Sequence, residues 1–120
     1  MADEITVYTS LKCTNGNLIF NESTPQLTFD QAVVGGPIPG MKEIGTSEET
    51  EAFSELTTLG WVTMRNLDPT NYVEVGFSTG VYGIRLEPGE PATFRLNPGT
   101  TLYLRANTAA CRVNIYALED

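Results

Sequence analysis

Apolar residues recur at every second position through most of the chain. Ile5 and Val7 alternate with Thr6 and Tyr8, and Val73, Val75 and Phe77 with Glu74 and Gly76. Ile84 and Leu86 flank Arg85, Phe94 and Leu96 flank Arg95, and Leu102 and Leu104 flank Tyr103. The last run sets Cys111, Val113, Ile115 and Ala117 against Arg112, Asn114 and Tyr116. Side chains on a strand point to opposite faces in turn, so each segment has one face for a core and one for water. This is the pattern of antiparallel strands with one face buried.

Turn chemistry separates these segments. Asn15-Gly16 suits a two-residue hairpin turn. Asp68-Pro69-Thr70-Asn71 has the residues of a type I turn, while Glu87-Pro88-Gly89-Glu90 and Asn97-Pro98-Gly99-Thr100 centre Pro-Gly, as type II requires. From about residue 81 strand and turn alternate roughly every ten residues, a meander of short strands. Val33–Gly40, rich in Gly and Pro, reads as a loop. Residues 46–56 hold the only helical potential, with Thr46 and Glu49 at capping-box spacing, and fit an acidic loop equally well. The expected fold is all-β: an antiparallel β-sandwich or jelly-roll-like barrel of eight to ten short strands with at most one helical turn. Residues 1–120 read as a single domain, with an N-terminal arm and the Gly/Pro-rich loop at 33–40.

Charge narrows the partners. Seven basic and fifteen acidic residues leave a net charge of −8. The balance is −7 over residues 1–60 and −1 over residues 61–120. Neither nucleic acid nor an anionic membrane surface suits such a chain. No signal-peptide pattern or membrane-spanning apolar run is visible, so synthesis in a cytoplasm is expected. In that compartment Cys13 and Cys111 read as buried free thiols, with a disulfide between first and last strands as the alternative. Asn21-Glu22-Ser23 matches a glycosylation sequon by chance on this reading.

Histidine is absent, which removes the commonest general base and metal ligand and excludes His-dependent triads. No zinc-ligand spacing or phosphate-binding glycine motif occurs. No catalytic, cofactor or metal residue is therefore assigned, and no enzyme is expected. Glu48, Glu49, Glu51 and Glu55 could supply paired carboxylates but read as a solvated acidic stretch. Asp68 and Asn71 read as turn residues, not as a calcium site. The polar phases carry Arg85, Arg95, Arg105 and Arg112, which share a face if their strands are neighbours. That face is either solvated or a docking surface for carboxylates. Tyr8, Tyr72, Tyr103 and Tyr116 also fall on polar phases, and Trp61 is out of phase with Val62 and Met64. The candidate interface is Tyr8, Ile38, Glu48, Glu49, Trp61, Arg85, Arg95, Arg105 and Arg112.

The run LGWVTMRNLDPTNYVEVGF at 59–77, followed by RLEPGEPATFRLNPGTTLYLRANTAACRVNIYAL, resembles small structural proteins of tailed bacteriophages. With EIGTSEE before it, the resemblance spans residues 43–118. It implies a β-sandwich or jelly-roll virion component made in a bacterial cytoplasm that sits on a capsid or in a head or tail assembly, the capsid exterior being the expected place. The implied role is a capsid decoration or cement protein that binds the major capsid protein and itself, as a homodimer or homotrimer. A tail or baseplate carbohydrate-binding module, needing clustered aromatics such as Trp61 with Tyr72 or Tyr82, is the alternative.

Overall fold

The computed structural model describes residues 3–120. The chain is all-β. Among the described residues there are twelve strands and no helix, against the eight to ten strands expected. The single domain expected over 1–120 divides into two compact units, Met1–Ala32 and Val33–Asp120. The boundary falls where the Gly/Pro-rich stretch begins.

The first unit is a long hairpin. Strand β1 (Ile5–Val7) pairs with β4 (Leu27–Phe29), and β2 (Ser10–Asn15) with β3 (Leu18–Ser23), all antiparallel. Between the two ladders Tyr8 and Thr9 face three residues, Thr24, Pro25 and Gln26. The ribbon stays closed there because Thr24 N–H donates to the Thr9 carbonyl (2.9 Å) and Thr9 N–H to Thr24 Oγ1 (3.0 Å). Two residues opposite three is a β-bulge, a place where proline's missing N–H is tolerated. Asp3 N–H to Asp30 Oδ1 (2.9 Å) and Gln31 N–H to Glu4 Oε1 (3.0 Å) fasten the base. The tight turn sits one residue later than expected. Asn15 pairs with Leu18, so Gly16-Asn17 form the turn, with Gly16 at φ 57°.

The second unit holds the remaining strands: β5 (Ile38–Ile44), β6 (Glu49–Glu51), β7 (Leu59–Asn66), β8 (Val73–Gly76), β9 (Ile84–Leu86), β10 (Pro91–Arg95), β11 (Leu102–Ala106) and β12 (Cys111–Glu119). They form two four-stranded sheets, ordered β10-β7-β12-β5 and β6-β11-β8-β9. Counted from β5 as the first of eight, the orders are 6-3-8-1 and 2-7-4-5. That is the jelly roll, in which the chain passes back and forth between two sheets.

The inward phase fills the space between the sheets. Val62, Met64, Val113, Ile115, Ala117 and Ile44 from one sheet meet Val73, Val75, Leu86, Leu102, Leu104 and Ala106 from the other, all buried. The two Pro-Gly turns form as expected: Glu90 N–H donates to Glu87 O (3.0 Å) and Thr100 N–H to Asn97 O (3.2 Å), with Gly89 and Gly99 at φ 83° and 84°.

Two segments depart from expectation. The loop read as 33–40 gives way to strand at Ile38, because Ile38 packs on the core while Pro39 lies on an edge strand. Residues 46–56 contain no helical turn. Glu49–Glu51 pair with β11 as an edge strand, and Phe53 turns into the core.

Candidate docking surface

The hairpin's strand pairing sorts its side chains by face. Leu11 lies opposite Glu22, Cys13 opposite Phe20, and Asn15 opposite Leu18, so these six share one face. Ser10, Lys12, Thr14, Ile19, Asn21 and Ser23 share the other. The ribbon is therefore amphipathic, as a sheet covering a core would be. Yet every residue of β2 and β3 is exposed. On the apolar face Leu11 is 69% exposed, Leu18 57% and Phe20 43%. A two-stranded ribbon is marginal in water alone, and covering these side chains would contribute on the order of 1 kcal/mol each. The face is built for burial that the hairpin by itself does not provide.

Cys13 stands in the middle of this face as an exposed thiol, not the buried one expected, because a two-stranded ribbon supplies no second layer of its own. Cys111 is buried and free as expected, and burial pushes its thiol pKa up.

The residues singled out from sequence scatter over several places. Tyr8 lies in the hairpin bulge, 64% exposed. Ile38 is half-buried and packs against the core. Glu49 Oε2 accepts from Gly45 N–H (2.6 Å), a local turn lock. Glu48 Oε1 accepts from Gly80 N–H (2.9 Å) and Tyr82 OH (2.5 Å). Those bonds, the tyrosine's first, hold its carboxyl below its ordinary pKa and raise that of Tyr82.

The four arginines do not share one face. From β9 onward consecutive strands change sheets, so β9 and β11 carry Arg85 and Arg105 on one sheet while β10 and β12 carry Arg95 and Arg112 on the other. On the first sheet Arg105 pairs with Glu74 (2.8 Å) and lies over Tyr82 (4.5 Å). Arg85 lies over Tyr72 (4.0 Å), with Glu87 at 3.5 Å. Its charges and rings are engaged with one another. On the second sheet Arg95 pairs with Asp120 (2.8 Å) and lies 5.3 Å from the ring of half-buried Trp61. Trp61 therefore belongs to a layer outside the core, and no Trp61–Tyr72–Tyr82 cluster forms.

What remains on the second sheet is less committed. Register places Pro39, Tyr116, Thr63 and Thr93 in one row and Met41, Asn114, Arg65 and Pro91 in the next. Met41 is 59% exposed and Tyr116 36%. Arg112 is exposed and forms no ion pair among the described residues, and Arg65 reaches only the Gly89 carbonyl (3.0 Å). Sequence reasoning passed over Arg65 and the hairpin's apolar face. Alternation of Leu11 with Cys13 and of Leu18 with Phe20 about a glycine turn was the available signal.

Among the described residues no group of acidic, Cys or His side chains could hold a metal ion, and no helix is long and apolar enough to cross a membrane. Comparison with known proteins finds no matching family model, no matching curated protein and no matching solved structure.

Proposed function

We propose that this chain is an assembly protein: a capsid decoration or cement subunit of a tailed phage that binds the outer surface of a major capsid lattice and stabilises it. The observation that carries this reading is the amphipathic hairpin, whose apolar face of Leu11, Cys13, Leu18 and Phe20 is uncovered. Such a surface is a docking element awaiting a partner. The jelly roll, a fold used for capsid domains among others, supports the reading. A ligand of the assembled state alone shifts the equilibrium toward assembly.

Purified chain mixed with undecorated capsids should co-sediment with them and raise their melting temperature. Capsids that bind none of it and melt unchanged would defeat the proposal.

One observation favours a second reading, a carbohydrate-binding module. An open cleft of about 610 Å³ is bordered by Phe77 and Tyr103, with Asn97, Thr100 and Thr101 between. Aromatic edges with polar groups suit a sugar. Binding of the isolated chain to a glycan array, lost in Phe77→Ala, would favour it.

A further inference from the structure

We infer that Asn15 is a self-modification site: its side-chain amide closes onto the backbone nitrogen of Gly16, loses ammonia and reopens with water as aspartate or isoaspartate at the tip of the hairpin. The chemistry stands on the hairpin alone, whereas its effect on docking rests on the reading of the hairpin as a docking element.

Three observations converge. First, the chain holds eight asparagines, and Asn15 alone is followed by glycine. Ring closure brings the next residue's backbone nitrogen against the side-chain amide carbon, and a side chain on that residue obstructs the approach. Gly16 has none. Second, neither reacting group is tied up. Asn15 pairs with Leu18 as the last rung of the ladder, so Gly16 falls in the turn, and its N–H donates to no carbonyl among the described residues. The Asn15 side chain makes no hydrogen bond among the described residues. Asn66 is the contrast, since its amide is engaged at both oxygen and nitrogen and Leu67 follows it. Third, the tip is open. Residues 15–17 are exposed, and a Cβ built on Gly16 would meet nothing within 4 Å. Extended backbone holds the Gly16 nitrogen away from the amide carbon, so the tip must twist for the ring to close. At the last rung of an exposed ribbon that opening is the least opposed.

The step balances with water as its only co-reactant. The Gly16 nitrogen bonds to Asn15 Cγ, the amide C–N bond breaks, and the Gly16 proton ends on the departing ammonia by way of water. Water then adds to one carbonyl of the cyclic imide. Attack at the side-chain carbonyl restores the main chain and leaves aspartate. Attack at the main-chain carbonyl leaves isoaspartate, with the main chain routed through Cβ. Nothing is oxidised or reduced. Asn15 shares a face with Leu11, Cys13, Leu18 and Phe20, so either product sets a carboxylate beside Leu18. Residues 3–32 already carry four acids against one lysine. Isoaspartate also lengthens the main chain at the rung opposite Leu18, which breaks the register at the tip. Covering the face would then bury a charge without a partner, which is unfavourable. The hairpin therefore carries a timer: fresh chain presents an apolar face, and aged chain presents a charged one.

The test ages the folded full chain at mildly alkaline pH. Its peptides are then mapped by mass spectrometry, with fragmentation that separates aspartate from isoaspartate. Asn15 should convert within about threefold of its rate in the urea-unfolded chain, because the tip opens freely. Asn17 and Asn21, also exposed on the hairpin but followed by Leu18 and Glu22, should stay amides over the same time. Asn15 that stays intact in the folded chain while converting in urea, or that converts no faster than Asn17, would overturn the inference. Co-sedimentation with undecorated capsids reads the consequence. Ageing should weaken binding about tenfold or more, Asn15→Asp should weaken it without ageing, and Asn15→Gln should bind equally before and after. Equal binding by fresh and fully converted chain overturns the timer. Fresh chain that binds no capsid defeats the decoration role alone, since the peptide map still decides the modification.

Discussion

Asn66 shows how one polar side chain can organise a buried junction. It is wholly buried, donates from Nδ2 to the carbonyls of Asn71 (2.9 Å) and Leu86 (3.0 Å), and accepts at Oδ1 from Asp68 N–H (2.9 Å). Asn66→Ala leaves three backbone groups without this partner, one of them buried and two part-buried, and should cost about 3 kcal/mol in urea unfolding. The adjoining Asp68 Oδ2 accepts from the N–H groups of Asn71 (2.6 Å) and Thr70 (3.0 Å), which hold its carboxyl below the ordinary carboxylate range. A folded-state pKa below the unfolded one adds stability above the unfolded value, and that stability disappears as pH falls through the folded value. Asp68→Ala should therefore melt below the unaltered chain at neutral pH, with the gap closing in acid. A gap that widened in acid would contradict this assignment. Gly76 is set by space: a Cβ there would stand 1.8 Å from the Val81 carbonyl oxygen. Gly76→Ala should displace the Ser78–Val81 bridge and lower the melting temperature.

At the scale of elements, most of the jelly roll was legible. Alternation set the inward residues of β7, β8, β11 and β12, and Pro-Gly pairs marked two turns, because each depends only on neighbours in sequence. What failed depends on partners far along the chain. The four arginines fell on polar phases, yet which polar face each shares is decided by sheet order, and jelly-roll winding splits them two and two. Residues 46–56 have helical chemistry, but pairing of Glu49–Glu51 with β11 and burial of Phe53 override it. Tyr8 pointed to the hairpin, but its apolar face is not legible from one strand, because its amphipathicity appears only when both strands are laid in register. Its consequence is testable: Phe20→Ser removes apolar area from an exposed face, so it should leave unfolding stability within about 0.5 kcal/mol while weakening assembly. Ile19→Ser, on the opposite face, should leave assembly unchanged.

For the whole molecule, the buried shell between two sheets accounts for stability, and the uncovered ribbon accounts for the proposed work. The two cysteines report on these separately, since Cys13 lies on the ribbon's apolar face and Cys111 is buried in the core. The decisive measurement is the rate at which a water-soluble maleimide labels each thiol, first in dilute chain and then in chain assembled with itself or on capsids. The account predicts that Cys13 reacts readily when dilute and becomes protected on assembly, while Cys111 stays slow in both. Equal labelling of Cys13 in the free and assembled states would mean that the apolar face is never covered, and the account would be wrong.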